Sequence, residues 1–150
     1  MNAPCPGPAA IIRTGAWHEL ERDAAPIRHR VFIDEQRVPP GLEYDEFDAV
    51  SLHAVAYGAD GGALGTGRLL PDGHIGRMAV HRHARGRGVG GAILDALVAQ
   101  GLARGHDTLL LHAQLQARRF YETRGFAAQG EVFMEAGIPH VLMALRGPAG

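Results

Sequence analysis

The sequence predicts an α/β (α+β) domain with a mixed central sheet of about six to seven strands and about four flanking helices. Three alternating segments between residues 51 and 80 are separated by turn residues, which is typical of consecutive antiparallel strands. The chain then runs strand, helix, strand from residue 74 to residue 113. The last of these strands is apolar throughout, as expected beside a parallel neighbour. The N-terminal half of the sheet is therefore predicted to be antiparallel, followed by one parallel pair.

Each element follows from a local pattern. Residues 17–32 carry apolar side chains at helical spacing, with Pro26 predicted to kink or divide the helix. Residues 38–48 are proline-rich and acidic, which indicates a loop with one helical turn. The predicted strands are 11–14, 51–57, 63–70, 74–80, 108–113, 126–129 and 139–145, and the other predicted helices are 90–104 and 116–123. No repeat or internal boundary interrupts this order, so residues 10–146 are predicted to form one domain after a flexible tail, 1–9.

Composition excludes several classes of protein. An apolar fraction of 46% and a net charge of −1 are typical of an ordinary globular protein and do not favour nucleic-acid binding. No apolar run approaches the roughly 20 residues of a membrane span, and the N-terminus lacks a signal-peptide pattern, so a cytoplasmic protein is expected. Cys5 is the single cysteine, which excludes an internal disulfide and argues against a catalytic thiol.

A glycine-rich stretch separates the strand at 74–80 from the following helix. It reads Arg85, Gly86, Arg87, Gly88, Val89, Gly90 and Gly91. Glycines permit left-handed backbone and close approach of a ligand, and the first N–H groups of a helix have no internal partner. Together with the helix dipole these groups favour phosphate. The alternative is close helix packing with solvated arginines, although a helix start needs fewer than four glycines.

The charged residues narrow the kind of phosphate site. All 15 basic residues are arginine, so the lysine of a P-loop is absent. Acids cluster at residues 34–48 and arginines cluster around the glycine stretch, which suits a cation in the first region and an anion in the second. The acidic run is predicted to line an entrance for cationic ligands, with a solvated loop as the alternative.

The glycines also satisfy the dinucleotide pattern at Gly86, Gly88 and Gly91. The acid at the expected distance, Asp107, precedes the next strand, whereas a ribose-binding acid lies at the far end of that strand. Three antiparallel strands before the loop also disagree with a doubly wound domain. A nicotinamide-dependent oxidoreductase is kept as a minor alternative.

Two sequence blocks match a known family. Residues 85–90 fit the pattern [QR]-x-x-G-x-[GA], and residues 117–126 contain A-x-x-F-Y-x-x-x-G-F. Together they resemble the GCN5-related N-acetyltransferases, the GNAT superfamily. Val31-Phe32-x-x-Glu35-Gln36 and the segment 137–140 are similar to its ElaA-like branch. The resemblance implies an N-acetyltransferase that uses acetyl-CoA, and hence coenzyme A, as co-substrate.

The resemblance also implies roles for individual residues. The N–H groups of residues 86–91 would hold the pyrophosphate. The backbone of Met78, Ala79 and Val80 would pair with the pantetheine arm. Gln114 stands where many members have Asn, so a side-chain contact to the donor is expected there. Tyr121 is the expected general acid for the leaving thiolate, because a phenol is protonated at neutral pH.

The acceptor side is less determined. Deprotonating an ammonium group requires a base, and the candidates are Glu35, Glu43, Asp45, His53, His112 and His140. Of these, Glu35, His112 and His140 are expected to contact the acceptor, a small-molecule or peptide amine. No metal is expected, because no histidine pair has metal-site spacing beside an acid. A monomer or homodimer is expected, and a non-catalytic acyl-CoA-binding or regulatory module remains an alternative function.

Overall fold

The structure is a computed structural model that describes residues 10–43 and 45–147. These residues contain seven strands and four α-helices. The predicted tail, 1–9, lies outside the described residues. The strands are β1 (Ile11–Ala16), β2 (Leu52–Tyr57), β3 (Ala63–Leu69), β4 (His74–Val80), β5 (Thr108–Gln114), β6 (Ala127–Glu135) and β7 (Ile138–Arg146). The α-helices are α1 (Trp17–Arg28), α2 (Pro40–Glu43), α3 (Val89–Ala103) and α4 (Arg118–Glu122). A π-helix covers His29–Glu35, and 3₁₀ turns cover Glu46–Val50, Arg82–Ala84 and Leu115–Ala117. In the described ranges no helix has the length and apolar composition needed to cross a bilayer.

All seven strands form one sheet in the order β1-β2-β3-β4-β5-β7-β6. Strands β1 to β4 are antiparallel neighbours, and β4 and β5 are parallel. β7 inserts between β5 and β6 and is antiparallel to both. The predicted fold class, with an antiparallel first half and one parallel pair, is confirmed.

Three local predictions need correction in detail. Of the two effects predicted for Pro26, division of the helix does not occur, since α1 continues to Arg28 with Leu20, Ala24 and Ile27 buried on one stripe. The chain then widens into the π-helix. The acidic loop contains two short helical turns, not one. β6 extends to Glu135, past Gly130, whose φ of 78° accompanies a bulge opposite β7. Its mostly exposed side chains hid that extension from a pattern-based prediction.

The sheet has a separate apolar cluster on each face. One cluster joins α3 to β5 and β7 and includes Leu97, Leu111 and Met143. The other joins α1 to β2 and β4 and includes Leu20, Val55 and Ala79. Burying such side chains stabilises each face by about 25 cal/mol per Å². The helices α1 and α3 therefore cover opposite faces of β4. Neither helix covers the edge of β4 beyond the point where β4 and β5 separate.

Candidate functional site

The parallel strands β4 and β5 separate partway along their length. They pair at His74↔Leu110 and Ile75↔Leu111 and then diverge. On its other edge β4 remains paired to β3 through Ala79 and Val80. A bulge at Arg77, whose φ is 50°, shifts the β3–β4 register. The edge of β4 after Ile75 therefore faces open space with backbone groups that another extended chain could pair with.

A cleft of about 610 Å³ occupies this opening. It brings together seven of the residues singled out from sequence, which are Glu43, Asp45, Met78, His112, Gln114, Tyr121 and His140. Phe32, Leu42, Phe47, Leu70 and Ile138 supply apolar surface, and Arg68, Arg77, Asp45, Asp72 and Glu135 supply charge. An elongated ligand with an apolar stem and polar ends fits such a cleft.

The glycine-rich stretch forms a second, adjoining pocket of about 330 Å³. It is lined by Val80, Ala84, Arg85, Gly86, Gly88, Val89, Gly90, Gly91 and Phe120. Gly86 and Gly88 have φ of 77° and 80°, and a Cβ at either position would meet open space. Gly88 caps α3 without any side-chain hydrogen bond to the first turn. The first turn of α3 therefore lines this pocket with N–H groups that no side chain caps, and such groups favour an anion.

The arginines beside this pocket are partly committed to other groups. Arg85 donates to the Val80 carbonyl at 3.0 Å and to Glu35 at 2.9 Å. Arg82 lies 3.7 Å from the same carboxylate, and Arg87 donates to the His83 carbonyl. Glu35 was expected to contact the acceptor, but the structure places it against the glycine stretch, and it is not among the described residues that line the larger cleft.

Tyr121 reaches the cleft from the α3 side of the sheet. Its side chain is 8% exposed and packs edge-on against Phe120 and Phe126, at 5.1 and 6.1 Å between ring centroids. Burial raises the pKa of Tyr121 to about 12, because the phenolate is poorly solvated there. The side chain therefore carries a proton at neutral pH.

Gln114 lies on the opposite face of the sheet from Tyr121. Its Nε2 donates to Gln36 Oε1 at 2.9 Å, at the end of the π-helix, and its Oε1 accepts from Gln116. His112 is on the same face, because side chains alternate along a strand and the intervening Ala113 is buried with α3. The cleft is thus approached by Tyr121 from one face and by His112 and Gln114 from the other.

A buried ionic network forms one wall of the cleft. Arg28, only 1% exposed, donates to Glu43 and, at 2.8 Å, to Asp48. Arg68 donates to Asp45 at 2.7 Å and to Asp48 at 2.9 Å. Arg77 donates to Asp45 at 3.0 Å and to the carbonyls of residues 42 and 43. Glu43 and Asp45 of the acidic run do line the cleft, but three arginines distant in sequence pair with the acids of this network. A preference for cationic ligands at these acids stays a prediction.

The network shifts the pKa values of Arg28 and Asp45 toward their charged forms. Burial would lower the pKa of Arg28, but the contacts with Asp48 and Glu43 outweigh it and raise that pKa. Burial would raise the pKa of Asp45, but the Arg68 hydrogen bond and the charges of Arg68 and Arg77 lower it. Glu43 Oε2 and Arg68 Nε are buried without a hydrogen-bond partner among the described residues. Sequence reasoning missed Arg68, since nothing local marks a strand arginine as buried. It grouped Arg77 with the arginines around the glycine stretch, whereas the structure pairs Arg77 with Asp45.

His53, another candidate base, belongs to the structural core. Its ring packs at a tilt of 43° against Trp17, with 4.7 Å between ring centroids, and its Nε2 lies 2.9 Å from the Asp48 carbonyl oxygen. Burial lowers the pKa of His53 and keeps the ring neutral. It helps to hold the 3₁₀ turn at 46–50 in place and is not among the described residues lining the cleft.

His112 and His140 surround a carboxylate that sequence reasoning overlooked. His112 Nδ1 lies 2.9 Å from Glu135 Oε1, and His140 Nε2 lies 3.6 Å from Glu135 Oε2. Phe133 packs between the two rings, at 5.1 and 6.0 Å. Across residues 10–43 and 45–147, no group of three or more potential ligands is placed to hold a metal ion. In the sequence, only the two-residue turn that follows Glu135 could have drawn attention to this carboxylate.

Comparisons with known proteins agree with this geometry. The GNAT acetyltransferase domain family matches residues 20–146. The uncharacterised N-acetyltransferase YjcF of Bacillus subtilis is 38% identical over 129 residues, which are 83% of this chain and 91% of YjcF. The crystal structure of Escherichia coli ElaA has a TM-score of 0.80 at 26% identity, covering 91% of this chain and 99% of ElaA. An acyl-CoA N-acyltransferase from Pseudomonas aeruginosa gives 0.80 at 29% identity, with the same coverage. The predicted superfamily and the likeness to ElaA are confirmed, and the chain belongs to the GNAT acetyltransferase family.

Proposed function

We propose that this protein is an acetyl-CoA-dependent N-acetyltransferase that transfers the acetyl group to an amine by direct attack. The observation that carries the proposal is the opening between β4 and β5, with the uncapped start of α3 at one end and the protonated Tyr121 along it. The acceptor is a small-molecule or peptide amine, because the charged and aromatic groups of the cleft wall suit a compact polar ligand.

The donor is proposed to bind mainly through backbone groups. The N–H groups of residues 86–91 would hold the pyrophosphate, as charge-assisted bonds without loss of side-chain entropy. Met78, Ala79 and Val80 would pair with the pantetheine arm along the free edge of β4. Gln114 already bonds Gln36 and Gln116, so its side chain would have to exchange a partner to contact the donor.

Tyr121 is proposed to protonate the departing thiolate. A thiol with a pKa near 8.5 is a stronger acid than this phenol, so full transfer is uphill; the phenol acts by hydrogen bonding and sharing its proton as the negative charge develops on sulfur. The acceptor ammonium must lose a proton first. With a pKa near 10.4 this costs about 4 to 5 kcal/mol at pH 7, which a base in the cleft would reduce.

Two measurements test the proposal. Calorimetry should show acetyl-CoA binding in the micromolar range. A thiol-release screen against amines, polyamines, aminoglycosides and peptides should then identify an acceptor. With that acceptor, Tyr121→Phe should lower kcat about 100-fold while acetyl-CoA affinity is retained, because the phenyl ring keeps the packing but has no proton to share.

Tyr57→Phe is the matched control. Tyr57 donates to Asp23 at 2.6 Å, is not among the described residues of either pocket, and should affect turnover little when changed. Retained acetyl-CoA binding with no turnover on any amine would favour the non-catalytic acyl-CoA-binding module. Absence of acetyl-CoA binding would refute both functions.

A further inference from the structure

A carboxylate–histidine pair on the acceptor face of the cleft has a defined proton arrangement. The pair is Glu135 at the end of β6 and His112 on β5, joined by the 2.9 Å contact between Oε1 and Nδ1. A carboxylate can only accept a hydrogen bond, so the hydrogen lies on Nδ1 of His112. In the neutral ring, the lone pair is then on Nε2.

The free nitrogen of His112 is available to a ligand. The His112 side chain is 39% exposed and lines the cleft, and among the described residues Nε2 has no hydrogen-bond partner. The other charged or titratable groups near the ring are His74 on β4, at 5.9 Å between ring centroids and backed by Asp72, and His140 on β7. Phe133 of β6 covers one side of the ring. The nitrogen opposite Glu135 is therefore the one that can exchange protons with a ligand.

His140 does not offer the same chemistry. Its Nδ1 lies 2.6 Å from the Ile138 carbonyl, which can only accept, so that nitrogen carries a hydrogen. The ring is buried and stacked on Phe133, and its Nε2 faces Glu135 at 3.6 Å. Of the two histidines expected at the acceptor, the geometry favours His112 as the base and leaves His140 as support for Glu135 and Phe133.

The fold holds Glu135 at a set position. Glu135 and Ile138 are paired residues at the end of the β6–β7 hairpin, joined through Ala136 and Gly137 with φ of 52° and 76°. Two left-handed residues in a two-residue loop are typical of a type I′ turn. Because β7 is also paired to β5 along its length, the turn carries Glu135 to the ring of His112 across a rigid sheet.

Resting on the proposed acetyltransferase function, we propose that His112 Nε2 takes the proton of the acceptor ammonium and that Glu135 is the positioning residue that holds His112 in the Nδ1–H tautomer. The freed amine attacks the acetyl carbon, so the C–N bond forms and the C–S bond breaks with its electron pair on sulfur. Tyr121 shares its proton with that sulfur as the charge develops. It takes up the extra proton of the attacking nitrogen as the sulfur takes its own, so that no free phenolate forms. His112 releases its proton to solvent, so the reaction yields amide, thiol and one proton.

The first experiment measures the tautomer directly in the purified full chain. Long-range ¹⁵N–¹H spectra of ¹⁵N-histidine-labelled protein should show His112 protonated on Nδ1. In Glu135→Ala, both tautomers should appear, because nothing then enforces one of them. Glu131→Ala is the matched control, since Glu131 is an exposed glutamate on the same strand, and it should leave the wild-type spectrum unchanged. Protonation of His112 on Nε2 in the wild type, or an unchanged spectrum in Glu135→Ala, would overturn the proposal.

The second experiment measures turnover with the acceptor found by screening. Glu135→Ala should lower kcat about 10- to 100-fold with unchanged acetyl-CoA affinity, and His112→Gln should lower it further. Unchanged turnover in His112→Gln would refute the base assignment even if the spectra show the predicted tautomer. If the wild-type protein does not bind acetyl-CoA, the proposed function is refuted instead. The spectra do not depend on turnover, so the two failures are distinguishable.

Discussion

The proposed donor side and the proposed acceptor side of the cleft are built in different ways. The proposed donor side consists of the edge of β4, the glycine stretch and the first turn of α3, all within residues 76–91. It offers backbone groups. The proposed acceptor side consists of side chains from α1, the acidic turns, β3, β5 and β6, together with Arg77 of β4. They are joined by contacts between residues 15 to 35 positions apart. A local backbone site tolerates changes of side chain, whereas a network assembled from distant charges depends on each member.

The largest effect is expected from breaking the ionic network. Arg28→Ala leaves Glu43 buried without its cation and leaves Asp48 with Arg68 alone. It also removes a guanidinium that lies 5.0 Å from the Trp17 ring. Loss of one partner of a buried pair costs about 3 to 5 kcal/mol, so chemical denaturation should show a loss of that size.

Arg30→Ala is the control for Arg28→Ala. Arg30 is on the exposed side of the same helical segment, 3.9 Å from Asp34, and exposed pairs contribute little. Its unfolding free energy should match that of the wild type. A loss below about 1 kcal/mol in Arg28→Ala would show that the acids relax toward solvent and that the network is not rigid.

A change in the glycine stretch should affect binding more than stability. Gly88→Ala places a methyl group in left-handed backbone, at a cost of about 1 to 2 kcal/mol, and in the space that the pyrophosphate would use. The Kd for acetyl-CoA should rise about tenfold, equivalent to about 1.4 kcal/mol, as measured by calorimetry.

Gly61→Ala separates strain from binding. Gly61 has φ of 84°, close to the 80° of Gly88, and open space around its Cβ position, but it lies in the β2–β3 turn. It should lose similar stability with unchanged acetyl-CoA affinity. Equal affinities in Gly88→Ala and the wild type would remove the glycine stretch from the donor site.

The glycine stretch is local in sequence and the ionic network is not, and this difference decides how much of each could be predicted from sequence. Residues 85–91 could be singled out because a motif records local backbone requirements, and Gly86 and Gly88 do adopt the left-handed conformations expected of them. The roles of these residues and of Tyr121 stay predictions. The ionic network was not identifiable, because a run of acids looks the same whether it is solvated or neutralised. Only the fold reveals that Arg28, Arg68 and Arg77 converge on that run.

The same limit applies to Glu35 and Glu135. Glu35 was expected at the acceptor from its place in an acidic segment, but the π-helix directs it toward Arg85. Glu135 ends a strand whose length was underestimated, so its proximity to His112 could not be inferred. Strand register and helix geometry, not residue type, decide on which side of the cleft each carboxylate lies.

Acid should weaken the acceptor side by a smaller, reversible amount. The pKa of Asp45 lies below its ordinary value of 3.8, because its contacts with Arg68 and Arg77 outweigh the effect of burial. A carboxylate with a lowered folded-state pKa contributes stability that is fully present above the unfolded value and is lost as the pH falls through the folded value. The free energy of unfolding should therefore begin to fall below about pH 4.

Asp45→Asn tests that assignment, since it removes the titrating group and keeps its shape. The variant should be less stable at pH 7 and should lose less stability than the wild type between pH 5 and pH 3. A parallel decline in the two proteins would assign the acid sensitivity to other carboxylates of the network.

The smallest expected effect lies where the two sides meet, at the Glu35–Arg85 pair. Glu35→Gln removes a negative charge beside the glycine stretch and releases Arg85, whose Nη2 lies 2.9 Å from that carboxylate. Since Arg85 is exposed at 43% and the pair is screened by solvent, the expected change is modest. The Kd for acetyl-CoA should fall about two- to threefold, and more at low salt than at high salt, while the KM for the amine stays constant. A rise in amine KM with constant donor affinity would return Glu35 to the acceptor site, where its sequence context had placed it.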